Sequence, residues 1–387
     1  MKRLAGPSLL VLLSASRAAG ALAAQERVIT LDRPEAQLPG EFTRVTRVRE
    51  LSSGRLLVLD FNDATVQLVD SRSKSVVQVG GTGEGPREYR SPTGLFSFGP
   101  DRSLIADQGN RRFLVVGPDG TIVSEASFPD LGGFGLLSVR GADARGRIYF
   151  DGPNQGSGRT GGRDSAAMLR WHPDRPARLD TMGWVQVQSA ATVRSEGGRI
   201  TMTRAIRPLR TSEQWGVSEE GRIALVTPEP YRVDWLSEGR PRVAGVPVPI
   251  RETPLTEAEK TGYLGRMQAG AAPPRGFSIG GQPSGGPPPP PAAADVAAAE
   301  WPPFKPPFLV ASTMVSPAGH LWVRRTPDAA SQAESFDLFG PEGRRVAIVS
   351  VPGGGRLVGF ATGGVYFARK DADDVEHLFK FALTLSP

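Results

Sequence analysis

Six short segments of this chain repeat one pattern, a tight turn running into an apolar strand. They are Gly54-Arg-Leu-Leu-Val, Arg102-Ser-Leu-Ile-Ala, Gly146-Arg-Ile-Tyr-Phe, Gly221-Arg-Ile-Ala-Leu, Gly319-His-Leu-Trp-Val and Gly363-Gly-Val-Tyr-Phe. The steps between them are 48, 44, 75, 98 and 44 residues, and the two long steps fall where composition turns irregular. A period in the middle forties with several short strands per unit is propeller-blade spacing, so six anchors predict six four-stranded antiparallel blades. Composition agrees: Gly (47) and Pro (35) supply many turns and leave little room for long helices.

Turn chemistry divides each unit. In the second, strands are expected over Thr93–Phe98, Leu104–Asp107, Phe113–Val116 and Thr121–Phe128. The first repeats this over Phe42–Leu51, Leu56–Asp60, Thr65–Val69 and Ser75–Val79. The last offers Arg356–Ala361, Val365–Ala368 and Leu378–Leu385, and lacks a fourth strand. Arg27–Leu31, an alternating strand left over before the first unit, is expected to pair with Leu378–Leu385 and close the ring, removing an exposed edge.

Gly81-Thr-Gly-Glu-Gly-Pro-Arg-Glu-Tyr-Arg-Ser-Pro92, followed by Asp107-Gln-Gly-Asn-Arg-Arg-Phe-Leu-Val-Val-Gly-Pro-Asp-Gly120, resembles an NHL repeat: a Gly-rich loop, a Pro, then Asp-x-x-Asn-x-Arg before an apolar strand. The first blade keeps Asp60 and Asn62 and the third keeps Asp151 and Asn154, while the last three have lost the motif. The whole chain resembles exported bacterial six-bladed propellers of NHL type.

The N-terminal segment points to the same compartment. Lys2 and Arg3 precede an apolar run from Leu9 to Ala15 and then Ala21-Leu22-Ala23, the order of a secretory signal. Residues 1–23 are read as a signal peptide cleaved near Ala23, and residues 24–387 as the exported propeller, periplasmic or secreted. No other stretch approaches the ~18 apolar residues of a membrane span. The missing Cys excludes disulfides, thiol catalysis and thiolate metal sites. The formal charge of +6 falls to +3 once Lys2, Arg3 and Arg17 are removed, and the basic residues are scattered. Nucleic acid is therefore not an expected partner.

Turns between strands 1–2 and 3–4 of every blade lie on one face of a propeller, and here they are short. The opposite face collects the long segments Gly80–Ser91, Asp151–Ser165, Gln188–Leu209, Arg251–Pro307 and Arg325–Glu334. Binding residues concentrate on variable loops over a rigid scaffold, so the long-loop face is the functional candidate. Its candidates are Arg87, Tyr89, Arg90, Asn110, Arg111, Asn154, Tyr231, Arg324 and Arg369, whose recurrent Arg suggests an anionic or carboxylate-bearing ligand. The insertion at 251–307 opens on a capping-box pattern, Thr256-Glu-Ala-Glu259, weakened as a helix by Gly262 and Gly265. It continues into Pro287–Pro291, and residues 270–300 are expected to pack on nothing.

Some relatives of this fold are metal-dependent lyases or lactonases. Zinc would need converging His, but His172 and His320 fall in short turns and His377 in an outer strand. An axial calcium would need oxygen ligands from the inner strands, whose carboxylates are essentially Glu50 and Glu213. Asp60, Asp107 and Asp151 read as turn residues satisfying local backbone N–H groups. Trp171, Trp215, Trp235 and Trp322 read as core. The reading is a non-enzymatic binding module without cofactor or metal, its partner a protein, a peptide or an anionic small molecule or glycan, with the lyase or lactonase as the alternative.

Overall fold

The repeated turns reverse the chain through a left-handed backbone position. Gly54 holds it at φ 77°, and in the second unit, which has no Gly there, Asp101 takes it at φ 53°. Between these turns the computed structural model builds antiparallel meanders; it describes residues 26–99, 101–131, 137–155, 165–187, 192–196, 199–203, 207–271, 297–328, 331 and 333–385. Residues 1–23, read as a secretory signal, and the Pro287–Pro291 run lie outside the described residues.

The first meander is Val45–Glu50, Leu56–Asp60, Thr65–Asp70 and Ser75–Gln78, and the second is Pro92–Ser97, Ser103–Asp107, Arg112–Val116 and Ile122–Ser127. Both follow the expected strands to within three residues at each end. Later meanders cover residues 139–186, 214–236, 308–351 and 356–382. Second strands such as Leu56–Asp60 and Ser103–Asp107 are buried at every position, because each meander is covered on both faces. The covering follows chain order. Leu57 and Leu59 cluster with Leu95 and Ile105, and Leu104 and Phe113 with Phe150 and Trp171. Met168 clusters with Trp215, and Trp235 with Phe308 and Phe339. Phe336 clusters with Phe367, and finally Tyr366 and Leu378 return to Val45 and Val58. The fold is all-β and propeller-like, and its first strands face a common axis.

The N-terminal segment closes the structure differently from the sequence expectation. Val28–Thr30 pairs in parallel with the outer strand Arg345–Val351, Ile29 opposite Val349, and not with Leu378–Leu385. The last meander is completed farther along: Ala36 pairs with Lys380, Leu38 N–H donates to Leu378 O, and Phe42 exchanges backbone bonds with Glu376. The reason is apolar spacing. Leu31 is buried among Val349 and Val351, while Leu38 and Phe42 fill the cluster around Leu378. One segment therefore seals two adjacent meanders.

The insertion also departs from expectation at its flanks. Glu257–Ala271 is helical through both glycines, capped by Thr256 Oγ1 accepting from Glu259 N–H while Glu259 Oε2 accepts from Thr256 N–H at 3.0 Å. Tyr263 hydroxyl donates to Pro327 O, and Lys305 pairs with Glu259 at 2.7 Å. Ala299, inside the stretch expected to pack on nothing, is buried with Leu264 because the returning chain covers the helix.

Ion pairs tie the short-turn ends of neighbouring meanders. Glu238 accepts from Arg170 at 2.7 and 2.9 Å and from Arg147 at 2.9 Å. Arg170, then Arg147, hold its carboxyl down at about 2. A depressed carboxyl stabilises the fold above its unfolded value, and that stability is lost as pH falls from about 4.5 towards 2. Glu238 is half exposed, so the contribution is about 1 kcal/mol or less after solvent screening. Urea melts of Glu238→Gln between pH 5 and 3 should therefore fall less steeply than those of the parent; identical slopes would refute the linkage.

Candidate functional site

The inner strands enclose a cavity of about 720 Å³ on the common axis. Its wall is built from Arg47–Leu51, Leu95–Ser97, Val139–Ala142, Trp215–Val217, Thr313–Val315 and Val358–Ala361, one stretch from each meander. It reaches the short-turn end, where Ser52, Glu219, Pro317, His320 and Thr362 form its rim. The cavity thus opens towards the face opposite the long loops.

Three arginines line it, and their surroundings differ. Arg140 is paired: its guanidinium reaches Asp151 at 2.7–3.1 Å and lies 5.9 Å over the Trp215 ring. Trp215 indole N–H donates to the same carboxylate at 2.8 Å. Arg49 donates to Ser103 Oγ at 2.5 Å and Ser97 Oγ at 3.3 Å; burial lowers its pKa while Glu219 and Asp101 oppose the shift. Arg47 has no hydrogen bond or ion pair from its guanidinium among the described residues. Burial, and then the like charge of Arg140, pull its pKa down to about 10, so it stays cationic at neutral pH but at a cost.

The carboxylates of the cavity sit at its rim. Glu50 accepts from Thr362 N–H at 2.9 Å. It stands three strand positions beyond Arg47, ~10 Å along the axis and on the opposite strand face. Glu213, the other inner-strand carboxylate, is engaged outside the cavity by Gln186 N–H at 2.7 Å. His320 lies at the rim, its pKa lowered by burial and its Nδ1 buried without a hydrogen-bond partner. His172 Nε2 contacts Arg145 O and His377 pairs with Asp371, both elsewhere. Among the described residues no three His, Cys, Asp or Glu converge in a way that could hold a metal.

The turn aspartates divide. Asp60 accepts from Thr43, Arg44 and Asn62 N–H, and burial, opposed by those bonds, raises its pKa. Asp107 accepts from Arg90 and Ser91 N–H and from Asn110 Nδ2. Both brace their turns as expected. Asp151 does not: its partners are Arg140 and Trp215 in the cavity wall.

The long-loop candidates do not converge on the cavity. Tyr89 is buried with its hydroxyl on Val66 N–H, and Tyr231 is buried with its hydroxyl donating to Asp337. Asn110 donates to Gly83 O, bracing the Gly-rich loop, and Arg90 pairs with Glu84. Arg324 pairs with Glu334, and Arg369 donates to Gly354 O while lying over Phe379 and Phe381. Arg87 and Arg111 are exposed. Asn154 continues the strand Ile148–Gln155 opposite Ala166. Sequence reasoning searched the inner strands for carboxylates and passed over Arg47, Arg49 and Arg140 on those same strands. The available signal was charge inside first strands, in Val45-Thr-Arg-Val-Arg-Glu50 and Val139-Arg-Gly-Ala142.

No family model matches this chain, and no curated protein matches it. Solved structures similar to it include a protein of Bacteroides fragilis provisionally described as exported. It is 11% identical with a TM-score of 0.48, over 92% of this chain and 99% of that one. Virginiamycin B lyase of Staphylococcus aureus is 10% identical with a TM-score of 0.41, over 90% and 98%. A gluconolactonase of Xanthomonas campestris is 11% identical with a TM-score of 0.37, over 90% and 91%. Among the described residues no helix is long and apolar enough to cross a membrane.

Proposed function

We propose that this chain is an exported six-bladed propeller of NHL type that acts as a non-enzymatic binding module, taking an anionic small ligand in its axial cavity. The secretory pattern at residues 1–23, the six turn-strand anchors and the apolar clusters linking each meander to the next support the architecture. The exposed Arg87 and Arg111 are assigned to peripheral contacts on the long-loop face.

The observation that carries the binding reading is Arg47, a guanidinium lining the cavity beside Arg140 and without a counter-charge among the described residues. Holding it there costs on the order of 3 kcal/mol by its pKa displacement, and a bound anion would offset that cost. The axial metal of a lyase or lactonase is disfavoured by the same residues, since guanidinium groups on the axis repel a divalent cation.

Titration with small carboxylates and phosphates, followed by the fluorescence of the Trp215 and Trp322 that wall the cavity, tests the reading. Arg47→Met should weaken anion binding by about 10- to 100-fold, the worth of a charge-assisted hydrogen-bonded pair. The same variant should melt no lower than the parent, because an unpaired cation has been removed. Unchanged binding in Arg47→Met would place the ligand elsewhere.

A further inference from the structure

We propose that the ligand of the axial cavity is an amphiphilic monocarboxylate, its head on Arg47 and its apolar body against the wall formed by the fifth and sixth meanders; this rests on the channel reading above.

Charge selects the head. Of the three cavity arginines, Arg140 is matched by Asp151, and Arg49, with donors on Ser97 and Ser103, has Glu219 and Asp101 as its counter-charges. Among the described residues one guanidinium, that of Arg47, remains uncompensated, and a single negative charge completes the cavity. Its planar fork fits two oxygens of one carboxylate. A dianion would leave one charge unmatched in a space whose remaining carboxylates, Glu50 and Glu219, already stand at the rim.

The body follows from the apolar wall next to it, whose strand Arg356–Ala361 pairs directly with Val45–Glu50. Met314, Trp322, Phe360, Val365, Leu383 and Leu385 line the cavity on the side of the strands Phe308–Val315 and Arg356–Ala361. Met314, Phe360, Leu383 and Leu385 are only half-buried although they pack on the cluster around Trp322 and Phe336, so apolar surface is left facing the cavity. Trp322 and Phe360 rings lie 5.7 Å apart, tilted by 54°, and make an aromatic corner of the wall. A 720 Å³ space is in the range that small-molecule sites occupy. A cationic wall adjoining a wall of aromatic and aliphatic groups calls for a molecule with both characters.

The test is calorimetric titration of the unaltered chain with butyrate, hexanoate and octanoate, alongside 1-octanol, octyl phosphate, citrate and inorganic phosphate. Affinity should rise about fourfold for each added methylene, following the transfer of a buried CH₂ from water. Octanoate should bind at least tenfold tighter than octanol and tighter than octyl phosphate. Arg47→Met should erase the advantage of octanoate over octanol, and Phe360→Gln should flatten the rise with chain length while sparing short carboxylates. If citrate or phosphate binds in an Arg47-dependent way and the carboxylate series is flat, the amphiphile is overturned and the anion-binding channel stands. If octyl phosphate binds tighter than octanoate, the monocarboxylate head is overturned. If no anion binds at all, both readings fall.

Discussion

Removal of residues 26–42 is expected to leave the chain largely unfolded at room temperature. That segment supplies the parallel strand on Arg345–Val351 and the backbone bonds from Glu35, Leu38 and Phe42 to the last strand. It buries Leu31, Leu38 and Phe42, at 5%, 6% and 2% exposure. Three such side chains contribute about 5 to 9 kcal/mol by area, against a total stability of about 5 to 15 kcal/mol for ordinary domains. Two sheet edges would also be opened to pairing with other chains. Circular dichroism melts and size-exclusion chromatography decide it. A shorter deletion of residues 26–33 should keep the fold at a lower melting temperature, because Leu38 and Phe42 still close the last meander. If the longer deletion melts like the parent, the segment is not the closure.

Asp151→Asn should move stability and binding in opposite directions. The carboxylate neutralises Arg140 and accepts from Trp215. Its loss leaves two uncompensated guanidinium groups, Arg47 and Arg140, sharing the cavity. Breaking this partly buried pair should cost about 3 kcal/mol, the lower end for such pairs. A bound anion then meets a second cation, and affinity for a small carboxylate should rise by about tenfold at an effective dielectric near 20. Denaturant melts with and without octanoate measure both. A variant that is destabilised and also binds more weakly would mean that Asp151 positions the site instead of balancing its charge.

The order of meanders was legible because it rests on local chemistry. Turns at Gly54, Gly146, Gly221, Gly319 and Gly363 require a left-handed residue, and only short apolar strands follow them. Asp60 and Asp107 were legible for the same reason, since their partners are backbone groups of nearby turns. Asp151 occupies the corresponding position in its meander, yet its partners come from other strands, and spacing alone cannot distinguish the cases.

The N-terminal closure marks the boundary between what was readable and what was not. An unpaired strand before the first unit and a short last unit require a pairing, and the sequence by itself determined that one would form. Whether Arg27–Leu31 or Glu35–Phe42 completes the last meander depends on which apolar side chains find unfilled space, and that is a property of packed neighbours. The cavity follows the same rule. Sequence alone determined that Arg47 and Arg49 lie within a first strand, expected over Phe42–Leu51. Only the tertiary structure decided that Ser97 and Ser103 engage Arg49, that Asp151 engages Arg140, and that Arg47 has no partner among the described residues, because the groups that match a charge come from strands far apart in the chain.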